Sequence, residues 1–125
     1  MLQSSTVLAT MPAVNINRAI EFYTKTLGLK LDESDEGSAT FEAGNGTKIF
    51  MYQREATKAE HTSATFYVDD HDAVVTGLIS KGVVFEQYDF GEIKTDERGV
   101  MSTPDGKAAW LKDTEGNILG IFGRA

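Results

Sequence analysis

The chain encodes one short plan twice. Residues 9–31, ATMPAVNINRAIEFYTKTLGLKL, run from an apolar strand through an Asn-rich cap into a helix, a Leu-Gly stop and a second strand. Residues 64–86, ATFYVDDHDAVVTGLISKGVVFE, repeat that order. The stop glycines lie 82 − 28 = 54 positions apart, and the helix alanines 73 − 19 = 54. That period exceeds most solenoid repeats, and two copies are too few for a solenoid. Two units that must bury each other's apolar faces are what such a chain can build.

In the first copy a strand is expected at 6–12. Asn15 or Asn17 can then cap a helix, because a short side-chain oxygen accepts from a free first-turn N–H. Ile16, Ile20, Tyr23 and Leu27, widened by Phe22, share one helical face. Strands follow at 29–33, 38–43 and 47–53, with GNG (44–46) as a hairpin turn. In the second copy the expected strands are 62–68, 83–88, 107–112 and 117–122. The helix between the first two begins near Asp70 and carries Val74, Leu78 and Lys81, with Ile79 beside them. DTEG (113–116) turns the chain, and 89–106 reads as an extended loop with an irregular strand around 100–103. Each copy is thus β-α-β-β-β. A one-residue insertion aligns the hairpins, setting Phe41 on Trp110, Gly46 on Gly116 and Phe50 on Gly120. The expected organisation is one α+β domain over 1–125, with modules at 1–56 and 61–125.

Composition closes off several chemistries. No cysteine is present, so disulfides, thiolate catalysis and Cys-ligated metals are excluded. The net charge is 12 − 19 = −7, which argues against a nucleic-acid partner and is compatible with a cationic ligand. MLQSSTVLATMPAV lacks the basic region and apolar length of a signal peptide, and no run approaches a membrane span. The expectation is a cytoplasmic protein with no membrane partner.

Three segments, NINRAIEFYTKTLGLKL, FYVDDHDAVVTGLISKGV and AAWLKDTEGNIL, together with the repeat, resemble the vicinal oxygen chelate superfamily. That superfamily includes glyoxalase I, extradiol dioxygenases, fosfomycin-resistance proteins and bleomycin-binding proteins. The resemblance covers nearly the whole chain. It implies two βαβββ modules whose sheets form a cup around a cavity, and a homodimer. Metal-dependent members place a His or Glu on each of four strands. Carried over, those positions are Leu8, Phe50, Ser63 and Gly120. Leu, Phe and Gly offer no lone pair, and one Ser hydroxyl cannot hold a divalent ion. A one-residue slip brings in Val7 or Ala9, Ile49 or Met51, Thr62 or Ala64, and Leu119 or Ile121, which does not restore a site. No metal and no cofactor are expected.

What remains at those positions is apolar, aromatic and lightly hydroxylated. Period-two alternation groups Phe50 with Tyr52, Ser63 with Thr65 and Tyr67, and Gly120 with Phe122, leaving Ile49 and Met51 to face the helix. A glycine in mid-strand marks room for something else. Trp110, Tyr88 and Phe90 fit a wall or lid, or else core or an interface. The expected ligand site is therefore Leu8, Phe50, Tyr52, Ser63, Thr65, Tyr67, Trp110, Gly120 and Phe122, taking a small planar organic molecule. Such a protein could sequester an antibiotic. The alternative is an enzyme: a metal-dependent lyase or dioxygenase, or a metal-free isomerase moving a proton with Tyr or Glu. His61 and the DDHD run (69–72) read as solvent-facing and helix-capping groups, since adjacent helical residues point apart.

Overall fold

The computed structural model describes residues 1–124. It is an α+β protein with two compact units, Met1–Thr57 and Lys58–Ala125.

In the first unit β1 (Ala9–Ala13) leads to α1 (Ile16–Glu21), a π-helical turn (Phe22–Thr26), β2 (Lys30–Ser34), β3 (Ser38–Glu42) and β4 (Lys48–Gln53). The sheet order is β1-β4-β3-β2, with β1 parallel to β4 and the other pairs antiparallel. Asn15 is the cap, its side chain accepting from Arg18 N at 3.0 Å. Ile16, Ala19 and Tyr23 bury the helix's inner face. Ala19 thus takes the central place expected of Ile20, which is only half-buried. Met11, Ala13, Ala39, Phe41, Ile49 and Met51 supply the sheet side of this core. Ile49 and Met51 are buried as the alternation required. Tyr23 stacks on Phe41 with ring centroids 5.1 Å apart and planes 22° from parallel.

In the second unit β5 (Thr62–Tyr67) leads to α2 (His71–Ser80). A two-stranded arm, β6 (Asp89–Phe90) with β7 (Ile93–Lys94), precedes β8 (Val100–Thr103), β9 (Gly106–Lys112) and β10 (Ile118–Arg124). The sheet order β5-β10-β9-β8 mirrors the first unit. Asp70 caps α2 by accepting from Ala73 N at 3.1 Å. The inner face of α2 is His71, Val75 and Leu78, not the Val74–Leu78–Lys81 stripe expected.

The caps Asn15 and Asp70 lie 70 − 15 = 55 positions apart, whereas the stop glycines lie 54 apart. The first helix therefore holds one extra residue. It is absorbed by the π-turn, where Leu27 N donates to Phe22 O, five residues back, at 3.0 Å.

Two expectations fail in the second unit. Residues 83–88 are not a strand; Val100–Thr103 is the edge strand of the sheet instead. The 83–88 segment is extended and buries Phe85, and Glu86 N donates to Trp110 O at 2.8 Å, the only ladder-like bond it makes to β9. It cannot share the rest of that edge, because β8 already pairs with 106–109. The chain crosses there at Gly99, where a Cβ would stand 2.6 Å from Phe85 Cβ. The hairpin alignment also needs no insertion. Thr40 pairs with Phe50 and Trp110 with Gly120, a constant offset of 70, so Trp110 corresponds to Thr40 and Leu111 to Phe41. Both turns close alike, by Ala43 N to Thr47 O at 2.8 Å and by Asp113 N to Asn117 O at 2.9 Å.

Candidate functional site

Because strand residues alternate between faces, the layer opposite each helix is fixed by the ladder register. On the second unit's sheet, Thr65 of β5, Gly120 of β10 and Trp110 of β9 form one row of Cα partners. Tyr67 and Phe122 form the next row. These five residues, with Ala108, Ala109 and Ile121, line a concavity of about 230 Å³. Its walls are aromatic. Tyr67 meets Phe122 edge to face at 5.4 Å and 77°, and Tyr88 meets Trp110 at 5.5 Å and 69°. Tyr88 also meets Phe90 of the β6–β7 arm at 5.7 Å and 72°. Burial, and then the nearby Glu86 carboxylate, push the Tyr88 hydroxyl's pKa above its usual value.

At the centre of the floor is Gly120. A Cβ there would meet Thr65 Oγ1 at 3.2 Å, Thr62 Cγ2 at 3.4 Å and Trp110 Cδ1 at 3.6 Å. The missing side chain leaves a gap bounded by a hydroxyl, a methyl and an indole edge. Thr62 is a wall residue absent from the sequence-based set. Aligning the two hairpins without a gap would have turned Trp110 onto this face; nothing in the sequence signals the bulge that brings Thr62 in.

The other expected site residues lie elsewhere. Ser63 is the extra residue of a bulge, between Thr62, which pairs with Ile118, and Ala64, which pairs with Leu119. It therefore does not stand beside Gly120; Thr65 does. Leu8 precedes β1 and is 40% exposed. Phe50 and Tyr52 sit on β4 of the first unit, half-buried and stacked at 6.2 Å and 15°. Thr10, Phe50, Thr40 and Glu33 form one cross-strand row there. Arg54 lies over Tyr52 at 6.0 Å.

The histidines divide. His61 is exposed. His71 is buried, which corrects its reading as a solvent-facing cap residue. With Asp70 as cap, His71 becomes the first helical residue and falls on the inner face, where the first unit has Ile16. Its Nε2 donates to Ile121 O at 3.1 Å, and its Nδ1 is buried without a partner.

The sequence profile of the glyoxalase/bleomycin resistance protein/dioxygenase superfamily matches residues 7–119. The chain belongs to that superfamily. No curated protein sequence matches it. Among solved structures, a bleomycin-binding protein from Streptomyces verticillus complexed with copper(II)-bleomycin is 20% identical over 100% of both chains, with a TM-score of 0.69. An antibiotic binding protein from Streptomyces sp. CB03234 is 20% identical over 98% of this chain and 99% of its own, with a TM-score of 0.70. A lactoylglutathione lyase from Agrobacterium tumefaciens is 16% identical over 97% and 95%, with a TM-score of 0.71. At these identities the likeness is one of fold.

The superfamily's metal-dependent members supply a test of the donor set. The corresponding positions here are Leu8, Phe50, Ser63 and Gly120, and the residues flanking Phe50 and Gly120 in register are Thr10 and Thr65. Neutral hydroxyls, a phenyl ring and a glycine do not fit a divalent cation. Among the described residues no three His, Asp or Glu side chains are grouped so as to hold one. The DDHD run does not converge: Asp72 instead pairs with Lys107 through both carboxylate oxygens, at 3.0 and 3.1 Å.

Proposed function

We propose that this chain is a small-molecule-binding protein that holds a flat organic compound on the aromatic face of β9 and β10. It would do so without a metal, as a cytoplasmic homodimer, and sequestration of an antibiotic is the role that suits it. The observation carrying this reading is the gap at Gly120. A planar ring entering it replaces the side chain that position lacks, much as Phe50 fills the equivalent place in the first unit. Tyr67, Phe122 and Trp110 offer the stacking and edge contacts such a ring prefers. Tyr67, 75% exposed, leaves aromatic surface for a ligand or a second copy to cover. The charge of −7 favours a ligand bearing a positive group. A lyase or dioxygenase reading lacks the donors that would hold its ion.

Trp110 is the only tryptophan, so intrinsic fluorescence reports on the floor directly. Titration with planar aromatic antibiotics, bleomycin among them, should give a saturable change with at least one compound. Filling the gap by Gly120→Phe should weaken that compound at least about tenfold with the circular dichroism unchanged, since overpacking closes the site before it breaks the fold. A flat response across the panel, with thermal stability equally flat, sinks the proposal. Native mass spectrometry of the protein as purified gives the oligomeric state. A transition-metal mass on each subunit would turn the assignment toward an enzyme.

A further inference from the structure

We propose that Thr65 is the polar anchor of the Gly120 gap, and that the compound it orients is an aromatic with a hydrogen-bond acceptor on its ring edge, such as a ring nitrogen or carbonyl. This rests on the concavity being the ligand site, and it names the chemistry that site selects.

The gap has three sides of different character. Thr62 turns its methyl toward it, at 3.4 Å from the Cβ position of residue 120. Trp110 presents Cδ1 at 3.6 Å, the ring carbon bonded to Nε1, so the indole offers its N–H-bearing edge. Thr65 presents its hydroxyl at 3.2 Å. The two threonines thus face the gap in opposite senses, and Thr65 Oγ1 is the polar atom nearest its centre.

That hydroxyl is also uncommitted. Thr24, Thr47 and Thr103 each donate to a backbone carbonyl nearby, at 2.6, 2.6 and 3.1 Å. Thr95 both donates to Tyr88 O and accepts from Tyr88 N. Thr65 is exposed and, among the described residues, has no such bond. Its neighbours' backbone groups are engaged by the β10 ladder, which leaves the Oγ1 proton for a ligand. An indole N–H can only donate, and a Thr hydroxyl can donate alongside it. An acceptor on the ring edge satisfies both, whereas a plain hydrocarbon would strip water from the hydroxyl and return nothing.

The test is a cycle with two probes of one shape, quinoline and naphthalene, followed by Trp110 fluorescence corrected for probe absorbance. Thr65→Val removes the hydroxyl at nearly constant volume, and Thr65→Ser keeps it. Thr65→Val should weaken quinoline about fivefold, the size of one net hydrogen bond, and leave naphthalene within about twofold. Thr65→Ser should hold quinoline within about twofold of wild type. If Thr65→Val weakens both probes alike, or neither, the anchor is wrong while the pocket stands. If neither probe perturbs Trp110 in the wild-type protein, the pocket reading falls and the anchor with it.

Discussion

On β4 of the first unit, position 50 carries a phenylalanine that lies against Tyr52; on β10 of the second, the matching position is Gly120. Where the first unit has Thr40, the second has Trp110. The helix-facing layers differ far less. Ile49 and Met51 match Leu119 and Ile121, and Phe41 matches Leu111, all of them buried. The two units therefore use the same recipe for burying a helix on a sheet and diverge on the opposite face. One fills that face with its own side chains, and the other leaves room. A shared core is a statement about folding; the unshared face is where a statement about function belongs.

The comparison breaks first at the core, if the two helices are not equivalent anchors. Tyr23 is fully buried and stacked on Phe41, and its counterpart 55 positions on is Leu78, 8% exposed. Tyr23→Ala should cost about 3–5 kcal/mol and Leu78→Ala about 2–3 kcal/mol in urea unfolding, because the larger side chain leaves the larger cavity. A Leu78→Ala cost equal to or above that of Tyr23→Ala would show that the second helix is the principal anchor.

The next test concerns His71, which stands where the first unit has Ile16. His71→Ile removes the Nε2 bond to Ile121 and the unpartnered Nδ1 together, so it should change stability by no more than about 1 kcal/mol. His71→Ala, which also leaves a cavity, should cost about 2–3 kcal/mol. If the isoleucine variant loses as much as the alanine one, Nδ1 has a buried water or other partner, and the two helices are held to their sheets by different means.

Much of this was legible in the sequence, and the failures have local causes. The repeat, the caps at Asn15 and Asp70, and most strand positions follow from periodicity and side-chain chemistry within a few residues. The edge strand of the second sheet does not. Residues 83–88 carry the stronger apolar pattern, yet 100–103 take the ladder, because strand pairing is decided by what reaches β9 across the crossing at Gly99. Ser63 was misplaced for a related reason: a bulge shifts the register by one residue, and alternation counted through it goes wrong. His71 looked polar in DDHD. Which residue of that run turns inward depends on where the cap falls, and a cap one residue away would have exposed it. Thr65, Tyr67, Trp110, Gly120 and Phe122 were grouped from alternation alone and lie around one concavity. Leu8, Ser63, Phe50 and Tyr52 lie outside it.

The smallest expected effect is electrostatic, and it separates the units by pH. In the first, Lys48 pairs with Asp32 at 2.9 Å, and that hydrogen bond, then the carboxylate charge, hold the Lys48 ammonium above its ordinary pKa of 10.5. A raised folded-state value means the pair's contribution is complete below 10.5 and is lost as pH rises through the folded value. In the second, the hydrogen bond from Lys107, then its charge, lower the Asp72 carboxyl below 3.8. That contribution is present above 3.8 and is lost as pH falls through the depressed value. Thermal unfolding followed against pH at low salt should therefore lose a little of its alkaline fall in Lys48→Met and a little of its acid fall in Asp72→Asn, each variant leaving the other limb alone. Both pairs are solvent-exposed, so 0.5 M salt, where the screening length is down to about 4 Å, should erase most of the difference. An acid limb unchanged in Asp72→Asn would mean that the Lys107 bridge does not outlast its competition with water, leaving the hydrophobic layers as the only feature the two units stabilise in the same way.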